Sequence, residues 1–268
     1  EALSAAAVAA ADERSPMRVG GAASELADQN ELRFREEIGP IADPVANVPA
    51  WIDGKELPEK LEYALERARL RPAGTLVELG AGSCWLGATL ARRPEVERVV
   101  AIEFSRRRLA ELAPVAIAYL GAPPEKIERV VADFYAHGLG AESADYVFMD
   151  AAFHHAADPV RLASVAFELL RPGGAFVLHR EPTLSLLRRT RSHGLEGEHG
   201  EFEHEYDWWR YLRFLRQAGF EASKAPAALS FREPRHRARL RPPLSWLNGL
   251  AYGAFTYVGR KPGAAGRP

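Results

Sequence analysis

Two histidines stand side by side in "AAFHHAADP", at His154 and His155, a few residues after Asp150. Neutral imidazole suits proton removal near pH 7, so either ring is a candidate general base for a substrate hydroxyl. Adjacent side chains do not easily reach one ion together, which disfavours a shared metal. A third reading makes the pair part of a packed, hydrogen-bonded rim, with no chemistry of its own. Asp150 is a candidate pocket residue without metal, because the neighbouring motifs supply no second and third acidic ligand.

A second constellation lies upstream. In "VELGAGSCWLG", Gly80, Ala81 and Gly82 form a small-residue turn in which the backbone can bend sharply and approach a ligand. Glu78 stands just before the turn and Glu103 about 20 residues beyond it, the spacing of an acid that accepts hydrogen bonds from ribose hydroxyls. A dinucleotide fingerprint requires a small residue three positions after the second glycine, and here that residue is Trp85. Two carboxylates fit an adenosine carrying a cationic amino acid better than they fit a pyrophosphate.

Two further clusters have the composition of sites. "HGLEGEHGEFEHEYDWW" combines His193, His199, His204 and Tyr206 with many acids, which suits a metal cluster by composition, substrate-side contacts, or an ordinary polar segment. "FREPRHRARLRPP" gathers Arg232, Arg235, Arg237, Arg239 and Arg241, a solvated or oligomer-facing arm or an anion-binding patch.

The elements that must position these residues follow from hydrophobic pattern. "TLVELG", "RVVAIEF", "RVVADF", "DYVFMD" and "GAFVLHR" are short apolar runs, expected as strands buried on both faces. Between them "WLGATLARRP", "RRRLAELAPVAIAYLG" and "DPVRLASVAFELLRPGG" have helical spacing. That alternation implies a parallel sheet with helices on both faces. "PEKLEYALERARL" is a further helix, and "DWWRYLRFLRQAGF" an amphipathic one offering Trp209, Leu212, Phe214 and Leu215 for burial. "SELADQNELRFREEIG" carries helical spacing through Leu26, Leu32, Phe34 and Ile38. The proline-broken "PIADPVANVPAWIDGKELP" reads as a surface loop, and "PTLSLLRRTRSHGLEG" as a basic helix. "EASKAPAALSF" and "AYGAFTYVGRK" supply two late strands.

The 268 residues suffice for one sizeable α/β domain, and a formal charge of −1 gives no global case for nucleic acid or an anionic membrane. No apolar run approaches the ~20 residues needed to span a bilayer. A single cysteine, Cys84, excludes an internal disulfide and fits a reducing compartment, so a cytoplasmic location is expected. The Ala-rich opening lacks a basic segment before a strongly apolar one and does not read as a secretory signal.

Taken in order, "VELGAG", "VVAIEFS", "VVADFY", "DYVFMDAAFHHAADP" and "ELLRPGGAFVL" resemble the motifs of class I S-adenosylmethionine-dependent methyltransferases, of the small-molecule group with an HHxxDP segment after the fourth strand. The resemblance covers residues 75–182 closely and continues loosely to about 220. It implies an α/β, doubly wound, seven-stranded and mostly parallel sheet of Rossmann-like type, with the last strand antiparallel and helices preceding the domain. It also implies S-adenosylmethionine as cofactor. The residues implied for it are Glu78, Gly80, Ala81, Gly82, Glu103, Phe104, Asp133, Phe134, Asp150 and Ala151, with Asp133 at the adenine amino group and Phe134 beside the ring. Cys84 replaces the usual third glycine of the first motif.

The resulting expectation is methyl transfer to a small-molecule acceptor, most readily at a hydroxyl oxygen, with His154 or His155 as base candidate and no metal. Trp51 and the residues around Tyr206 would close the pocket. The expected layout is a poorly ordered 1–21, a helical cap over 22–70, and a methyltransferase domain over 71–268 with an insertion at 230–250. No nucleic acid and no membrane are expected as partners, and homo-oligomers are compatible with the sequence. A non-catalytic binder of the same cofactor and an NAD-dependent oxidoreductase are the rivals; Trp85 weighs against the latter.

Overall fold

The computed structural model describes residues 3–20, 43–184, 204–226, 247, 250, 253 and 255–263. In chain order the elements begin with α1 (Ala5–Arg14), β1 (Met17–Val19), α2 (Pro44–Gly54), α3 (Leu57–Ala68), β2 (Gly74–Leu79), α4 (Trp85–Ala91) and β3 (Val96–Glu103). A π-helical turn (Arg108–Leu112) leads into α5 (Ala113–Tyr119), followed by β4 (Ile127–Val131), β5 (Ala144–Asp150), a 3-10 turn (Phe153–His155), α6 (Pro159–Leu169) and β6 (Leu170–His179). The short strands β7 (Thr183–Leu184) and β8 (Tyr206–Asp207), then α7 (Trp208–Gln217), β9 (Glu221–Pro226) and β10 (Phe255–Arg260), complete the described chain.

The expected mostly parallel sheet is present, with eight strands in place of seven. The chain divides into two compact units, residues 1–57 with 72–147 and residues 58–71 with 148–268. In the first, β1-β4-β3-β2 lie in that order, and each adjacent pair is parallel. In the second, β6-β10-β9 follow one another, with β10 antiparallel to both neighbours as expected for the last strand. β7 and β8 form a separate parallel pair.

The eighth strand is β1, drawn from a stretch expected to be poorly ordered. Instead, α1 is capped by Ser4, whose Oγ accepts the Ala7 N–H at 3.2 Å, and packs beside α5. Met17 to Val19 then pair with Arg129 to Val131. The attachment comes from Arg129, 2% exposed, whose guanidinium donates to the carbonyls of Ser15 (2.9 Å), Leu109 (2.7 Å) and Asp12 (2.9 Å). Burial of such a cation requires partners for its donors, and the end of α1 supplies most of them.

The proline-rich stretch read as a loop is partly helix α2. Pro44 takes the first turn, where its missing N–H costs nothing, and Asp43 caps the helix through the Ala46 N–H at 3.2 Å. Pro49 lies inside and deprives the carbonyl of Val45 of a helical donor; Val45 is 37% exposed, so that turn faces water. In α7 the buried face is Tyr211, Leu212 and Leu215, with Phe214 half-buried; Trp209 is 44% exposed, contrary to expectation. The predicted helix through Leu26, Leu32, Phe34 and Ile38, most of the predicted basic helix, and the insertion at 230–250 apart from Leu247 and Leu250 lie outside the described residues. Among the described residues no helix is long and apolar enough to cross a membrane.

Candidate functional site

In the first unit the turn after β2 is organised by the end of β3. The N–H groups of Gly80 and Ala81 both donate to the Ile102 carbonyl, at 2.8 and 2.9 Å. Gly82 donates its N–H to Glu103 Oε2 at 2.8 Å, and Ser105 donates to Oε1 at 3.1 Å. Glu103, only 2% exposed, is therefore aimed at the glycine turn it was expected to accompany. Its two oxygens offer about four acceptor sites, so two backbone donors leave capacity for ligand hydroxyls.

Gly80 and Gly82 adopt φ values of +74° and +53°, conformations that glycine reaches without steric cost. A Cβ built on Gly82 would meet only Arg108 Nη1, at 3.9 Å, so the turn presents open space beside its backbone. The neighbouring Ser83 Oγ is buried and has no hydrogen-bond partner among the described residues. An open glycine face, an unsatisfied hydroxyl and a carboxylate together fit the hydroxyl-rich, partly cationic group implied by the motifs.

Glu78, expected on the cofactor side, lies near the end of β2. It is 2% exposed, and its Oε2 accepts the Gly87 N–H at 2.9 Å, tying β2 to α4. A Cβ on Gly87 would lie 2.7 Å from that oxygen and 2.9 Å from Val99 Cγ1. Gly87 thus seats the helix on the sheet. Burial, and then the Glu78 carboxylate, push the Cys84 thiol well above its ordinary range, so it stays protonated.

Asp133 follows β4, and its Oδ1 accepts the Tyr135 N–H at 2.7 Å, fixing the turn that carries Phe134. Phe104 and Phe134 are both half-buried, as expected of rings with a face available for stacking.

The second unit holds the other expected residues. Asp150 is paired through both oxygens with Arg180, Nε donating to Oδ1 at 2.6 Å and Nη2 to Oδ2. Ala151 has φ +48° and donates its N–H to the His179 carbonyl at 2.9 Å. His154 is half-buried, and its Nδ1 lies 2.9 Å from Glu181 Oε2. His155 is exposed, its ring 4.0 Å from that of His154. The "EHEY" segment joins this group: the His204 N–H donates to the His154 carbonyl at 3.3 Å, and the His204 ring stacks on Tyr206 at 5.5 Å. Tyr206 packs in turn on Phe214 and Tyr211, at 5.0 and 5.5 Å.

Sequence reasoning missed Arg180, Glu181, Gly87 and Arg129. Glu181 and His154 are 27 residues apart, with a helix and a strand between them, and no spacing rule joins such a pair. The recoverable signal was position: "HREP" directly follows a buried strand, the edge where open α/β sheets place ligand-binding residues. Trp51, in the first unit, is 38% exposed. His193, His199, Arg232, Arg235, Arg237, Arg239 and Arg241 lie outside the described residues.

Residues 77–178 match the family model of a methyltransferase domain. No curated protein matches the chain. Among solved structures, the protein in complex with the Haloferax volcanii Trm112 methyltransferase activator is 21% identical, with a TM-score of 0.59 over 82% of this chain and 96% of its own. Haemonchus contortus phosphoethanolamine N-methyltransferase 2, solved with S-adenosyl-L-methionine, is 14% identical, with a TM-score of 0.60 over 86% of this chain and 60% of its own. The cyclase SpnF is 14% identical, with a TM-score of 0.58 over 94% of this chain and 100% of its own. At these identities the likeness is one of fold. By family match and by fold, residues 77–178 are similar to a methyltransferase domain.

Proposed function

We propose that the protein is an S-adenosylmethionine-dependent methyltransferase acting on a small molecule at a hydroxyl oxygen. The observation that carries the cofactor assignment is Glu103 at the tip of β3, its carboxylate turned onto the open glycine turn at Gly82. Glu103 is the group for the ribose hydroxyls, Asp133 and Phe134 for the adenine, and Gly80, Ala81 and Gly82 the backbone against which the ligand lies. The matched methyltransferase domain and a structural neighbour holding S-adenosyl-L-methionine support the same assignment.

S-adenosylmethionine supplies an electrophilic methyl group on a positively charged sulfur. The protein's contribution is alignment of donor and acceptor for in-line attack, with exclusion of water. Asp150 and Ala151 are proposed with the cofactor-side groups, and His154, His155 and Tyr206 are the proposed acceptor-side groups. The oxygen assignment rests on His154, an imidazole held by a carboxylate and therefore suited to taking a hydroxyl proton.

Calorimetry with S-adenosylmethionine and S-adenosylhomocysteine tests the reading. Binding of both is expected; binding of neither would overturn it. Label transfer from the methyl-labelled cofactor to a panel of phenols, sugars and amines then separates the alternatives. Cofactor binding without turnover on any class would favour another use of this fold, one of whose similar structures is that of a cyclase.

A further inference from the structure

We propose that Glu181 is a positioning residue that selects His154, rather than His155, as the proton acceptor. The chemistry rests on the methyl-transfer reading above; the tautomer that it requires does not. The Glu181 side chain is fully buried (0% exposed), and donors surround its carboxylate. Oε1 accepts the N–H groups of Ala152 and Phe153, at 3.0 and 2.9 Å. Oε2 accepts the His154 N–H at 3.2 Å and stands 2.9 Å from His154 Nδ1. One oxygen thus grips both the backbone and the ring of the same histidine.

The backbone makes this approach possible. Arg180 has φ +54°, a left-handed conformation that in a non-glycine residue persists where the surroundings enforce it. The turn it creates lets Arg180 pair with Asp150 while the next residue, Glu181, meets the 3-10 turn Phe153–His155. The His204 N–H holds the His154 carbonyl as well, so the residue is gripped from two segments.

A carboxylate only accepts hydrogen bonds, so the ring proton of neutral His154 belongs on Nδ1 and the lone pair on Nε2. In the reaction Nε2 takes the hydroxyl proton as the oxygen–methyl bond forms and the methyl–sulfur bond breaks. The breaking bond's electron pair stays on sulfur, giving neutral S-adenosylhomocysteine, and the imidazolium then returns its proton to solvent. His155 is exposed, and its ring lies against that of His154, which gives it a packing role.

Nitrogen-detected NMR of histidine-labelled protein reads the tautomer directly, without any acceptor. For His154 at pH 8 the expected spectrum has Nδ1 protonated and Nε2 unprotonated. Glu181→Gln keeps the side chain's shape. Its single oxygen goes to the two backbone donors that Oε1 now receives, because the opposite orientation sets the NH2 against both of them while this one opposes only the His154 N–H. The NH2 then faces Nδ1, so the tautomer should invert to Nε2–H. With an acceptor found in the panel above, that variant should lose about 100-fold in kcat while binding S-adenosylmethionine within twofold of wild type. An Nε2–H tautomer in the wild type, or an unchanged tautomer in a folded Glu181→Gln, would overturn the proposal. Should Glu181→Gln not fold, the wild-type spectrum and His154→Gln, expected to lose turnover while retaining cofactor binding, decide the matter. Absence of S-adenosylmethionine binding by the wild type would instead overturn the methyl-transfer reading and leave the tautomer result standing.

Discussion

The carbonyl oxygen of Leu109 accepts a 2.7 Å hydrogen bond from Nη1 of Arg129, and the cause lies in Pro114. Within the π-helical turn the Ala113 N–H reaches back five residues to the Arg108 carbonyl. The next bond of that ladder would run from residue 114 to Leu109, but proline has no N–H to give. Arg129 supplies the missing donor from β4, and the same guanidinium holds the end of α1. Arg129→Met should therefore cost at least about 3 kcal/mol in chemical denaturation, since several buried carbonyls lose their partners. Adding Pro114→Ala to that variant should recover about 1 kcal/mol, because the new N–H can serve Leu109. Strict additivity of the two substitutions would show that they do not share the carbonyl.

Glu103→Ala is expected to weaken S-adenosylmethionine binding by about 1–3 kcal/mol, the scale of a lost hydrogen bond to a charged group. Titration calorimetry measures it directly. An affinity equal to wild type would mean that the ribose does not lie at this carboxylate.

Gly87→Ala tests the seating of α4. The added methyl group would lie 2.7 Å from Glu78 Oε2 and 2.9 Å from Val99 Cγ1, in a helix whose residues are all buried. Overpacking of this kind costs about 1–3 kcal/mol, and the melting temperature should fall accordingly. A variant as stable as wild type would show that Glu78 can withdraw freely.

His179 predicts a pH dependence. It is wholly buried, with Nδ1 3.3 Å from Thr256 Oγ1, and burial lowers its pKa from 6.5 to about 4, with Asp150 opposing the shift. The unfolded chain takes up a proton as pH falls through about 6.5, whereas the folded protein does not until about 4. Stability is therefore lost on acidification between those values, by about 3 kcal/mol from this group, and is retained above them. His179→Gln should flatten that part of a stability-versus-pH curve by a comparable amount. An unaltered slope would assign the acid sensitivity to other groups.

Much of the fold was legible because its rules are local. Buried parallel strands are continuous apolar runs, the helices between them carry a 3.6-residue period, and a glycine turn after the first such strand has few alternatives. Glu103 was legible for the same reason: strand length alone places it at the edge next to the turn. By contrast, α2 was hidden, because proline is read as a breaker unless its place in the helix is known. β1 was hidden too, because three exposed residues carry no burial pattern, and their attachment depends on Arg129 more than a hundred residues away.

The sequence by itself determined the alternation of the five core strands with the helices between them, the place of the glycine turn and the acids that tip β3 and β5. These depend on residue type and short-range spacing, which any chain segment expresses on its own. Only the tertiary structure decided which donor each buried carboxylate received. Glu78 met Gly87, Asp150 met Arg180, and Glu181 met His154, because strands adjacent in the sheet and turns at their ends bring together residues that no periodicity relates. A buried charge must find its partners wherever the packed chain presents them, and that is a property of the fold as a whole.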